Sequence, residues 1–110
     1  MRQGDIYEIY LDPVMGSEQR GRRPSVIISG NIINNLINTV IIVPLTSQVK
    51  DLHGNLVIEA NKKNGLKQKS EALSIHVRAI DKLRLKQKIG TISKEEVQVI
   101  LNSLNTLFKY

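Results

Sequence analysis

The 110-residue, 12.4 kDa chain is long enough for one domain with a modest core and too short for two, so residues 1–110 are taken as a single domain. With 41% apolar and 24% charged residues it has the balance of a folded globular chain, and the absence of cysteine excludes disulfides, thiol catalysis and thiolate zinc sites. The longest apolar runs, residues 39–45 and 26–28, fall short of the roughly 18 residues that span a bilayer, so no membrane role is expected. Residues 1–5 lead into a strand-like pattern with no apolar export segment, which makes the cytoplasm the expected compartment.

Sixteen Lys and Arg against ten Asp and Glu give a net charge of +6, which suits a polyanionic partner. The charges are unevenly placed. Residues 1–19 carry four acids and one base, whereas residues 62–88 carry nine bases and only Glu71 and Asp81 as acids.

In chain order, residues 5–11 read as a strand, with Ile6, Ile9 and Leu11 apolar, ended by Asp12-Pro13. Residues 15–22 hold two glycines and several charges, the composition of a mobile surface loop. Residues 25–29 predict a short buried strand and residues 30–38 an Asn-rich turn. The β-branched run 39–45 predicts a strand buried on both faces, with polar Thr46-Ser47-Gln48 at its end. Residues 56–60 and 72–77 predict further strands, joined by a lysine-rich loop over 61–70. Asp81 is placed to cap a helical turn over 81–85. The pattern then switches period: Ser93 and Glu96 form a capping box, and Val97, Ile100, Leu101, Leu104 and Phe108 make one helical stripe. Short strands and one terminal helix imply a small, mainly β barrel or meander.

Standard catalytic machinery is missing. The two histidines, His53 and His76, are isolated, and no phosphate-binding glycine loop or nucleophile elbow occurs. Attention falls on arginines and hydroxyls. Pro24 biases Arg23 toward extended geometry at the start of a buried strand, so its guanidinium projects from the strand mouth. Thr46 ends the other buried strand. A guanidinium fork matches phosphate oxygens and a hydroxyl donates or accepts beside it, so adjacent strand ends here suit a phosphodiester, with Glu18 as a proton acceptor.

Arg2-Gln3-Gly4-Asp5-Ile6-Tyr7, Gly16-Ser17-Glu18-Gln19, Arg23-Pro24-Ser25-Val26-Ile27-Ile28, Pro44-Leu45-Thr46-Ser47-Gln48 and Arg78-Ala79-Ile80-Asp81 stand in the order and spacing of MazF/PemK-type toxins. The chain resembles that family over essentially its whole length. The resemblance implies an SH3-like barrel with a C-terminal helix, of the kind shared with Kid and CcdB, working as a homodimer. It also implies cleavage of single-stranded RNA without metal or cofactor, and inhibition by a cognate acidic antitoxin, through which alone DNA is met.

Carried over position by position, Arg23 and Thr46 are the implied catalytic pair and Glu18 an accessory residue, while Ser17, Gln19, Ser47, Lys50 and His76 are expected to face the RNA. The positions where relatives hold acidic and glutamine residues carry Leu73, Ile75 and His76 here, so base specificity does not transfer. Two rival readings are weaker. A CcdB-like gyrase poison acts through a C-terminal tryptophan, and this chain has none. A non-catalytic nucleic-acid-binding barrel stacks bases on several aromatics, and the aromatic content is 4%.

Overall fold

The computed structural model describes residues 1–11 and 22–109. Strands run β1 (Asp5–Tyr10), β2 (Arg22–Ile27), β3 (Thr39–Thr46), β4 (Val57–Ile58), β5 (Ser70–Ala72), β6 (Arg78–Asp81) and β7 (Leu85–Thr91). Helix α1 (Asn31–Leu36) joins β2 to β3, and α2 (Lys94–Leu107) ends the chain. All strand pairs are antiparallel, in the order β4-β5-β3-β2-β1-β7, and the N-terminal half of β3 also pairs with β6. The result is the expected mainly β architecture, a curled sheet closed at one side by a C-terminal helix.

Period-two alternation puts β2 and β3 between two cores. Val26 and Val43, register partners, join Ile6, Leu45 and Ile58 on one side, where Val97 and Ile100 of α2 cover them. Ile27 and Ile42, the next pair, join Ile9, Val40 and Ile80 on the other. The predicted two-sided burial of β3 therefore holds, except at Ile41, which is exposed opposite Ala79 of β6.

Several expectations need correction. The strand predicted at 25–29 begins at Arg22, and Pro24 fits because pairing with β3 starts only at Ser25, leaving its missing amide outside that ladder. The predicted turn at 30–38 contains α1. Asn34 is buried there and its Nδ2 donates to the Ser29 carbonyl at 2.8 Å, while the Gln3 amide donates to Asn31 Oδ1 and the Lys82 Nζ to the Asn34 carbonyl, so tertiary bonding overrides the weak helix propensity of asparagine. The strand predicted at 72–77 stops at Ala72. Ser74, buried against Ser103 of α2 (Oγ to Oγ 2.5 Å), turns the chain into a single 3₁₀ turn, Ser74–His76. The strand predicted at 56–60 shrinks to the two residues of β4, and β6 and the largely polar β7 were not foreseen. The loop predicted over 15–22 lies outside the described residues except for Arg22.

The caps hold as predicted. The Leu83 amide donates to Asp81 Oδ1 at 2.8 Å, and Ser93 and Glu96 exchange bonds of 3.1 and 2.9 Å. Phe108 leaves the predicted stripe: it follows the last turn of α2 and is 80% exposed, while Ser103 takes an inward position.

The lysine-rich loop is shaped by Asn64, whose Oδ1 accepts from the Asn61 and Leu66 amides at 3.0 Å each and whose Nδ2 donates to the Glu59 carbonyl at 2.9 Å. Beside it Gly65 has φ +66°, and a Cβ there would lie 2.2 Å from the Ile89 carbonyl oxygen of β7. Gly65→Ala is expected to cost about 2–4 kcal/mol, from left-handed strain and overpacking together. A urea titration reads this directly; an unchanged midpoint would show that the loop yields instead.

Candidate active site

The site is built where β2 and β3 separate. Ser25 and Pro44 form the last rung between the two strands, with Arg23 two residues beyond it on β2 and Thr46 two residues beyond it on β3. Arg23 also pairs with Ile9 of β1, so its backbone is held in the middle of the meander. Its side chain is half-buried, and among the described residues its Nε is buried with no hydrogen-bond partner. Ser25, two residues on and on the same face, has its Oγ buried and unpartnered as well. A buried donor without a partner carries an uncompensated desolvation cost, which an arriving acceptor relieves. Thr46 is buried, and its Oγ1 accepts from the Gln48 amide at 3.1 Å, which fixes the turn leaving β3.

A cleft of about 530 Å³ opens beside this pair. Arg23 and Ser47 line it from the strand ends, Lys67 and Gln68 from the lysine-rich loop, and Gln87 and Lys88 from β7. Glu8 also lines it and is engaged by Arg22 at 3.1 Å, while Lys88 lies 3.4 Å from Asp5. The described walls therefore carry more cationic than anionic groups, as a polyanion requires.

Of the residues singled out from sequence, Arg23 and Ser47 line the cleft, while Thr46 is buried at the end of β3 and is not among the lining residues. Lys50 and His76 are not among the residues lining the cleft. Lys50 is exposed in the loop after β3. His76 is half-buried at the end of the 3₁₀ turn, which corrects its expected place within a strand. Ser17, Glu18 and Gln19 lie outside the described residues. Among the described residues no three His, Asp or Glu side chains gather into a metal set.

Lys67 and Lys88 were visible in sequence only as charge, and Gln68 and Gln87 gave no signal. A further residue went unread. Glu71, fully buried on β5, is the register partner of Thr46. Its Oε1 accepts from the amides of Lys50 (2.8 Å) and Asp51 (2.9 Å), and its Oε2 from the Leu52 amide and the Asn55 Nδ2, both at 2.9 Å. Burial alone would raise its pKa. The Asn55 amide and the three backbone donors outweigh burial and hold the carboxyl below the usual glutamate range.

Compared with known proteins, residues 2–108 match the family described as PemK-like, MazF-like toxin of type II toxin–antitoxin system. An Endoribonuclease MazF of Staphylococcus saprophyticus is 36% identical over 106 residues, covering 96% of this chain and 88% of that protein. The fold is that of MazF from Deinococcus radiodurans (TM-score 0.83, 22% identity, 97% of this chain and 94% of that one). Mycobacterium tuberculosis toxin MazF-mt6 is similar too (TM-score 0.79, 21% identity, 94% and 95% covered). So is an endoribonuclease from a mycobacterial species in complex with its cognate antitoxin (TM-score 0.79, 18% identity, 100% and 98% covered).

The lowered pKa of Glu71 has a definite sign. Its stabilisation is complete above the unfolded-state glutamate pKa and is lost as pH falls through the folded value below it. Glu71→Gln is expected to destabilise by about 2–4 kcal/mol at neutral pH, because buried donors then face an amide. The loss should shrink toward pH 3. Thermal melts from pH 3 to 7 test this, and parallel wild-type and variant curves would count against it.

Proposed function

The chain belongs to the PemK-like, MazF-like toxins of type II toxin–antitoxin systems, and on that premise we propose how it acts as an endoribonuclease. Arg23 and Thr46 hold the scissile phosphodiester of a single-stranded RNA while the adjoining 2′-hydroxyl attacks it. The 2′-oxygen bonds to phosphorus and loses its proton, the P–O5′ bond breaks, and O5′ takes up a proton. The products are a 2′,3′-cyclic phosphate, which can open to a 3′-phosphate, and a 5′-hydroxyl. Neither a metal nor a cofactor takes part.

The observation that carries this reading is the Nε of Arg23, buried and, among the described residues, unpartnered, in a side chain that lines the cationic cleft. Charge builds on the non-bridging oxygens of the phosphorane, and a preorganised guanidinium meets it without first breaking a bond within the protein. Arginine holds its proton too firmly for easy acid–base work, so Arg23 stabilises charge and Glu18 accepts the 2′-proton. Thr46 orients the same phosphate. Ser17, Gln19, Ser47, Lys50 and His76 contact the flanking nucleotides, so cutting is restricted to short sequences. Cleavage of messenger RNA in the cytoplasm stops translation and growth.

MazE–MazF complexes among the structural neighbours support a cognate antitoxin as partner. Its contact is an acidic, partly disordered segment along the basic surface of residues 62–88, and DNA is met only through it. A second copy of the chain covers exposed apolar barrel and helix surface, including the paired Ile41 and Ala79, giving a homodimer.

Three measurements test these statements. Arg23→Ala should lower single-turnover cleavage of a mixed RNA in EDTA by about 100- to 1000-fold with the fold intact, and Thr46→Ala by a comparable or smaller factor. Near wild-type cutting by Arg23→Ala would place the chemistry elsewhere. Antitoxin affinity should fall as salt rises; affinity independent of salt would remove the electrostatic contact. Sedimentation at micromolar concentration should show a dimer that Ile41→Asp weakens, whereas a 12.4 kDa species alone would exclude it.

A further inference from the structure

We infer that Glu71 is a positioning residue for the reaction: its carboxylate holds the backbone amides of residues 50–52 and the Asn55 side chain, and thereby fixes the turn that presents Thr46 and Ser47 to the RNA phosphate. This rests on the reading of Thr46 as a phosphate ligand.

The reason lies in what else holds that loop. No residue from 47 to 55 is buried, so apolar packing does not anchor it. The Asp51 backbone adopts φ +54°, a conformation that costs a non-glycine residue energy, and the amides of Lys50, Asp51 and Leu52 converge on one carboxylate. Glu71 stands opposite Thr46 on the neighbouring strand, so the same residue grips the loop and adjoins the strand end the loop leaves. Between them the Thr46 Oγ1 accepts from the Gln48 amide, two residues before the first amide that Glu71 holds. Loosening residues 50–52 therefore frees the turn that orients the Thr46 hydroxyl.

Glu71→Gln keeps the volume and puts an amide where four donors converge. On a short single-stranded RNA, kcat should fall about 10- to 100-fold, the scale set by a misplaced catalytic group. KM should rise by less than kcat falls, because Arg23, Lys67 and Lys88 are unchanged and only the contacts of Ser47 and Lys50 lie in the loosened loop. In a double-mutant cycle, adding Glu71→Gln to Thr46→Ala should cost no more than about twofold beyond Thr46→Ala alone. All rates are taken at a temperature where circular dichroism shows each variant folded.

If Glu71→Gln does not fold, Asn55→Ala removes a single donor, and its smaller loss in kcat should likewise vanish in the Thr46→Ala background. An unchanged kcat in the variant that folds, or losses that multiply in the cycle, overturns the inference while leaving the role of Thr46 standing. Full activity of Thr46→Ala itself overturns both.

Discussion

The structure depends on one strand having three neighbours. β3 bonds to β2 along one edge, while its other edge is divided, with β6 on the N-terminal half and β5 on the C-terminal half. Eight residues therefore fix the relative placement of the meander, the small β4–β5 ribbon and the segment leading to β6. Where β3 is shared with β6, Val40 and Ile42 serve the second core, and where it reaches β5, Leu45 serves the first and Thr46 pairs with Glu71.

Two loops border the cleft and are held by different forces. The lysine-rich loop is seated by shape, with a buried asparagine inside it and two glycines at its contact with β7. The loop after β3 is seated by charge, around an anion buried in a chain of net charge +6. A buried carboxylate is tolerable here because its oxygens are satisfied by four donors.

How legible this was depended on how local the signal was. The capping box of Ser93 and Glu96, the Asp81 cap and the β-branched run of β3 are decided by neighbours within four residues, and they read correctly. The Arg-Pro pair and the hydroxyls after Leu45 were also readable, because an unusual residue type stood at the end of an apolar run. The errors came from contacts distant in sequence. Helix α1 is held by bonds from far along the chain, the Gln3 amide donating to Asn31 Oδ1 and the Lys82 Nζ to the Asn34 carbonyl, and Ser74 leaves the strand because Ser103 lies opposite it, 29 residues on. β7 hid because exposed lysine and glutamine break its apolar alternation. Glu71 read as one of two acids in a basic stretch, since nothing in sequence brings residues 50–55 back to it.

The mutual fit at Gly65 and Gly90 bears on how such a surface can diversify. A Cβ at either position would meet backbone, at 2.2 Å from Ile89 or 2.4 Å from Asn64, so neither glycine has room to vary. The side chains of Lys62, Lys63, Lys67 and Lys69 around them are all exposed, and exchanging one disturbs no packing. Shape and charge on this loop are thus separately heritable. Its charge pattern can change by single surface substitutions at little cost to folding, on an unaltered frame.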